Sequence, residues 1–261
     1  MKRELLRIGI IVWVAGMLLA PCQSLFAEEK PTWQYGLSFS YLTGDYGTDE
    51  NTDILYAAAG IKRYFEKGDF TATFPYLSIP NDGVIFIDGG AEPVEGAGGG
   101  SGLGDIILKG RYYAVEQNGP LPFIDLVGSL KLPTASRDKG LGTGKADFTL
   151  ATEIAGVLPD RRWIILGELG YTFVGNPPGY ETNNRWLYSI GLSYECSTRM
   201  RFSGYLDGRT AVFQGNDNPL SILLIGEYRI HSSLRLDTML EVGMNDGAPE
   251  IGVTIGLRRR I

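Results

Sequence analysis

An antiparallel up-and-down transmembrane β-barrel of about 12 strands is the fold class this sequence predicts, and three observations predict it. Apolar and polar residues alternate with period 2 along most of the chain after the N-terminal segment. The links between the alternating segments are short and long in strict succession. No apolar run after the N-terminus is long enough for a membrane helix, and only helices and closed barrels satisfy every backbone group in lipid.

The first segment sets the compartment. Lys2, Arg3 and Arg7 precede an apolar run from Ile8 to Ala20, and Ser24-Leu25-Phe26-Ala27 then gives way to Glu28-Glu29. A basic head, a short apolar middle and a small residue before an acidic start predict a cleaved signal peptide over 1–27. The apolar run is too short for a helical span, which needs roughly 20 residues. The remaining 28–261 then form a single barrel domain of the bacterial outer membrane.

The strands follow in order. Trp33, Tyr35, Leu37, Phe39 and Tyr41 share one face, opposite Gln34, Gly36, Ser38 and Ser40. The aromatic face is assigned to lipid. The segment 53–65 is strand-like, but its sequence does not decide which face looks outward. Phe70, Phe74 and Tyr76 alternate with Thr71 and Thr73, and Leu108 and Tyr112 alternate with Lys109 and Arg111. Further strands run from Ile124 to Leu132, Phe148 to Ile154, Trp163 to Phe173 and Trp186 to Tyr194. The last four carry Met200 to Arg209, Leu220 to Ile230, Leu234 to Val242 and Ile251 to Leu257. Each is period-2, the pattern of a sheet with two unlike faces.

The links test this independently. Short ones lie at 66–69, 115–120, 159–162, 196–199 and 231–233. Longer ones lie at 43–52, 80–104, 134–146, 175–183 and 211–218, and the link at 245–249 falls in the same series. Short periplasmic turns and long external loops produce this order in an outer-membrane barrel. A soluble barrel with a greasy interior would invert the two faces and has no reason to alternate its links. Aromatics near strand ends (Trp33, Tyr41, Tyr76, Trp163, Phe173, Trp186 and Tyr194) suit the two headgroup regions.

Composition excludes several function classes. The chain carries a net charge of −6, and losing Lys2, Arg3, Arg7 and Glu4 with the signal takes it to −8. An acidic chain argues against nucleic acid as a partner. Cys22 leaves with the signal, so Cys196 has no internal disulfide partner. With His231 the single histidine, no zinc-type Cys/His cluster can form. His231 adjoins Ser232 and Ser233 in a short turn, where adjacency does not supply the geometry of a Ser-His pair. Gly140 to Lys145 is followed by Ala146 and by no helix, so it is no phosphate loop. The stretch Gly96 to Gly104 reads as a flexible loop. Asp45, Asp49, Glu50, Asp82, Asp88, Glu92 and Glu95 read as solvated loop acids, or as weak sites for divalent ions bridging lipopolysaccharide. No enzyme activity and no cofactor are expected.

The candidate functional residues are the charged members of the inward face. These are Lys109, Arg111, Asp125, Lys131, Glu153, Glu168, Glu195, Arg201, Asp207, Arg209, Glu227, Arg229, Arg235, Asp237 and Glu241. They either brace the barrel in pairs or line a polar conduit whose charges tune what passes. Inward Ile107, Val127, Leu187, Leu223 and Ile225 suggest an apolar path, or packing beneath a loop. The second and third external loops have the length to fold over or into the pore.

Three stretches carry a resemblance: Ser101-Gly102-Leu103-Gly104-Asp105-Ile106, Leu132-Pro133-Thr134, and Gly140-Leu141-Gly142-Thr143-Gly144-Lys145-Ala146-Asp147-Phe148. They resemble the phenol-degradation meta-pathway family of outer-membrane β-barrel proteins, often labelled transporters. The resemblance implies an outer-membrane barrel and passage of hydrophobic or aromatic compounds. It supplies no catalytic or ligand residues. The ending Gly256-Leu257-Arg258-Arg259-Arg260-Ile261 departs from such barrels, which generally finish on an aromatic, and its arginines are expected to snorkel at the periplasmic rim. The expected role is a channel or facilitator for passive movement of small, hydrophobic or aromatic molecules. The alternative is a non-conducting structural or interaction barrel whose external loops contact ligands. Expected partners are outer-membrane lipid and lipopolysaccharide, the barrel-assembly machinery and a small-molecule solute.

Overall fold

The computed structural model describes residues 32–80, 83–87, 90–94, 97–118 and 121–261. The segment read as a signal peptide lies outside the described residues, as do Asp82, Asp88 and Glu95. The strands are β1 (Trp33–Gly44), β2 (Thr52–Phe65), β3 (Gly68–Ile79), β4 (Val84–Ile87), β5 (Gly90–Pro93), β6 (Gly100–Leu103), β7 (Ile106–Val115) and β8 (Phe123–Leu132). They continue as β9 (Asp147–Val157), β10 (Trp163–Phe173), β11 (Arg185–Glu195), β12 (Met200–Arg209), β13 (Leu220–His231), β14 (Leu234–Gly243) and β15 (Ile251–Arg260). Among the described residues no helix is long and apolar enough to cross a membrane.

Twelve long strands make one closed antiparallel wall. Closure is the pairing of the first strand with the last, from Gln34 opposite Arg260 to Thr43 opposite Ile251. Among the described residues each of the twelve long strands then has a partner on both sides, as the hydrocarbon core requires because an unpaired amide there has no water to bond. The short β6 extends the wall where β7 stops: β3 pairs with β7 up to Thr73 opposite Ile107, and with β6 from Tyr76 onward. Between them Gly104 N–H donates to the Pro75 carbonyl at 2.9 Å. A side chain at Gly104 would run into Pro75 and Leu77, so the join needs glycine. Part of the stretch expected to be a flexible glycine loop is therefore wall, because β3 offers it backbone partners.

Burial alternates along the strands as the sequence pattern requires. Leu37, Leu169 and Ile190 are 66%, 58% and 62% exposed, far too much for a soluble interior. The uncertain strand β2 is now placed: Ile54, Tyr56, Ala58, Gly60 and Lys62 point inward, Leu55 and Ile61 outward. Aromatics pair at both rims. Trp163 packs on Tyr194 at 4.6 Å between ring centroids beside a short turn, and Tyr171 meets Trp186 edge-on at 4.8 Å toward the long loops. The Arg63 guanidinium covers the Trp33 ring at 4.8 Å. The polar head reaches the headgroup level while the ring stays at the interface.

Ile190 is the middle residue of β11 and faces lipid. Ile190→Arg is expected to destabilise the folded barrel by about 2–4 kcal/mol, read from urea titration of the protein in lipid vesicles. An unchanged midpoint would mean that this face does not meet hydrocarbon.

Candidate functional site in the barrel lumen

The external half of the lumen is filled by the chain's own hairpin. β4 and β5 form a separate two-stranded sheet, Val84 opposite Pro93 through Ile87 opposite Gly90. Val84, Ile85, Phe86 and Ile87 are all buried, which explains an apolar run inside an external link. One side packs on inward residues of the wall, Leu42, Ile54, Tyr56, Leu77 and Ile79, with Leu141 of the third loop. Tyr56 and Phe86 stack at 5.6 Å. The other side, Ile85 and Ile87 with Val94 and Ala97, packs on Val212 and Phe213 of the fifth loop. Tyr46 of the first loop completes the cover, and burial raises its hydroxyl pKa well above the ordinary tyrosine value.

One carboxylate seats this hairpin. Glu92 accepts the Val212 amide at 2.9 Å and the Phe213 amide at 3.1 Å, accepts from Asn216 Nδ2 at 3.4 Å, and pairs with Arg185. It is 3% exposed. The expectation of a solvated loop acid is thus wrong for Glu92, because the apolar flanks carry it inward, where a buried charge must find donors. Phe86 N–H donates to the Gly140 carbonyl at 2.9 Å. Gly140 has φ of 67°, and a side chain there would meet the Gly98 and Val84 carbonyls. The third-loop glycines thus serve a close turn against the hairpin.

Below the hairpin the inward charges gather into separate networks. Arg111 sits at 2.9 Å from Glu153, 3.6 Å from Asp69 and 3.8 Å from Asp125. Lys62 reaches Asp69 at 3.2 Å and Lys109 reaches Glu153 at 3.6 Å. Glu168 lies directly opposite Glu153 on the next strand. On the far wall Arg201 bonds Glu195 and Glu227, and Arg258 bonds Asp237 and, at 2.7 Å, Glu227. Arg229 and Arg235 stand opposite each other near the periplasmic end. Toward the loops, Lys131 holds Asp147 at 2.7 Å and Asp105 at 3.3 Å, and donates to Thr143 at 3.2 Å. Glu241 accepts from Ser221 at 2.8 Å, Asp207 lies opposite Ser221, and the Arg209 guanidinium lies against Gly90 of the hairpin.

Between the networks lies an apolar patch on the lumen side. Ile164, Leu166, Tyr205, Leu223, Ile225 and Met239 cluster there with Ala155. Several inward residues elsewhere are small, and Gly36, Ser38, Ser129, Thr149 and Ser203 keep partial exposure although they face away from lipid. Internal solvent reaches them, so the lumen is not packed solid. Among the described residues no group of three or more His, Cys, Asp and Glu side chains is arranged for a metal ion. Ser232 Oγ lies 3.2 Å from His231 Nδ1, on an exposed periplasmic turn outside the lumen.

Residues 32–258 match a family described as "Putative MetA-pathway of phenol degradation". The chain belongs to this family. No curated protein matches the sequence. Among solved structures, it is similar to an outer membrane channel from Pseudomonas putida F1, with a TM-score of 0.66 at 12% identity over 90% of this chain and 97% of that one. It is also similar to the NanC porin, with a TM-score of 0.56 at 6% identity over 87% and 100% of the two chains. A third is the translocator domain of the autotransporter NalP from Neisseria meningitidis, with a TM-score of 0.55 at 12% identity over 91% of each chain. At such identities these likenesses establish the fold, a closed outer-membrane barrel.

All the inward charges selected from this family member's sequence occupy inward positions, but not as one uniform ladder. Lys62, Asp69 and Arg258 belong to the networks and were missed. The sequence leaves the facing of β2 undecided, puts Asp69 in a turn and puts Arg258 at the rim. Arg258 is 2% exposed and points inward, which corrects the snorkelling expectation for that residue, while Arg259 faces outward.

Removing Arg111 would leave Asp69, Asp125 and Glu153 short of a shared cation in a buried setting. Arg111→Ala is expected to cost about 3–5 kcal/mol, measured by urea unfolding of the refolded barrel. A loss below 1 kcal/mol would show that water enters to replace the guanidinium.

Proposed function

We propose that this barrel is a passive outer-membrane channel or facilitator for small molecules. The observation that carries the reading is a lumen that internal solvent reaches past small inward residues, beneath a hairpin held by loop contacts rather than by the wall ladder. Loop-held hairpins can be displaced at far less cost than wall strands, because they open locally without breaking the barrel. Hydrophobic or aromatic solutes suit the apolar lining contributed by the hairpin and by the patch around Tyr205, Leu223 and Ile225. The family's description by phenol degradation fits that chemistry.

The fifteen-residue inward set chosen from the sequence is proposed to line this path, with Arg111 and Arg201 as braces and the partly exposed Lys109, Asp207 and Glu227 as charges that solutes pass. No catalytic role is assigned: the His231–Ser232 contact is solvent-exposed on a turn. Outer-membrane lipid, lipopolysaccharide and the barrel-assembly machinery are its proposed partners, and the outward apolar face supports the first of them.

The hairpin also favours a second reading, a closed scaffold, since it buries the external mouth. Planar-bilayer recording separates the two. The channel reading expects small, discrete conductance steps from the intact protein. Glu92→Ala, which removes the acceptor for the Val212 and Phe213 amides, is expected to raise conductance severalfold. Silence from both proteins would leave the scaffold.

We propose further that the chain is exported through a signal peptide ending at Ala27. Mass spectrometry of protein taken from outer membranes is expected to show Glu28 as the first residue. A mature chain that retains Met1 would refute cleavage.

A further inference from the structure

At the periplasmic end of the lumen the inward positions of β13, β14 and β15 change sign abruptly. One row across the wall reads Glu195, Arg201, Glu227 and Asp237, each opposite the next on the neighbouring strand. Its acids are engaged by Arg201 and by Arg258. The next inward row, nearer the turns, reads Arg229, Arg235 and Arg258, again each directly opposite the next. It continues onto Gly36 and Gly60, which carry no side chain. The last row holds Arg260 opposite Gln34. The five arginines of these rows thus outnumber their three carboxylates, Glu195, Glu227 and Asp237.

Like charges directly opposite each other on one face of a sheet destabilise the pairing. A run of three arginines therefore carries a cost that a bound anion removes. The donors are also incomplete. Arg258 Nη1, Arg260 Nη2 and Gln34 Nε2 are shielded from solvent and have no hydrogen-bond partner among the described residues. Arg258 and Gln34 are 2% and 0% exposed. A buried donor left unbonded is costly, and more so when charged. Space adjoins them, since Gly36 keeps partial exposure to the lumen.

We propose that Arg229, Arg235, Arg258 and Arg260, with the Gln34 side-chain amide, form a binding site for one small oxyanion, a carboxylate or a phosphate, at the periplasmic mouth of the lumen. Guanidinium groups present planar paired donors that match the oxygen pairs of either anion. Arg258 is oriented by Asp237 and Glu227, which leaves Nη1 for the ligand, and Gln34 is oriented by Tyr64, whose hydroxyl donates to Oε1 at 3.0 Å. The site does not require that the barrel conduct.

Isothermal titration calorimetry on the full chain folded in detergent micelles, at constant ionic strength in chloride, tests this with inorganic phosphate and with acetate. Saturable binding of one equivalent of either supports the site, and the probe that titrates identifies the anion. Arg235→Gln is expected to weaken binding about tenfold, the loss of one charged donor. Arg162→Gln, on an exposed turn, is expected to leave it unchanged. Because Arg235 stands between two like charges, Arg235→Gln is expected to keep or raise the unfolding temperature without added anion. Lower thermal stability with unchanged affinity would mark a structural brace and overturn the proposal. So would the absence of saturable heat from both probes in protein that shows the heat-modifiable migration of a folded barrel.

Discussion

A backbone amide in hydrocarbon has no water to bond, and the architecture follows from that constraint. It forces the chain to close, and closure is achieved between its two ends: β1 meets β15 along ten residue pairs, Gln34 to Thr43 against Arg260 to Ile251. It also divides the side chains. Once the wall is closed, one face of every strand meets lipid and the other meets the lumen, so greasy residues such as Leu37, Leu169 and Ile190 are directed outward. The inward face is then left with the polar residues, and those must find partners among themselves.

The inward charges meet that demand through strand register. Arg111 on β7 reaches acids on β3, β8 and β9, and Arg258 on β15 reaches acids on β13 and β14. Such pairs are weak sources of net stability, since desolvation offsets much of the attraction. Their effect is to fix register: slipping one strand by a residue would turn its inward charge into lipid. The arginine row at the periplasmic end follows a different logic, since its members stand opposite one another in the ladder although Arg258 also reaches acids of the neighbouring row. Bracing and ligand recognition thus use the same residue types, told apart by which neighbours the ladder supplies.

The hairpin obeys the complementary rule. An apolar segment in an external link cannot stay in water, so Val84 to Ile87 are buried in the external end of the lumen, where the wall offers Leu42, Ile54 and Leu77. Burial carries Glu92 with them, and the fifth loop supplies amides to receive its charge. The contacts that hold the hairpin therefore belong to loops and to a few inward side chains. They can rearrange without opening a ladder, and this separates the strength of the wall from the state of the lumen.

The sequence by itself determined the wall. Period-2 alternation is local, so residues such as Trp33 to Tyr41 or Trp186 to Tyr194 declare their faces without knowledge of their neighbours, and link lengths declare the topology. The inward position of Lys109, Arg111, Glu153 or Arg235 follows from the same local rule. The tertiary structure alone decided which of these charges meet, because partners come from strands whose register no local pattern records. It placed Lys62 and Asp69 beside Arg111, turned Arg258 from the rim into the lumen, and set Glu92 under the fifth loop. Faces follow from the nearest neighbours in the chain where the alternation is clear, as it is not in β2; pairing and plugging depend on residues far away in it.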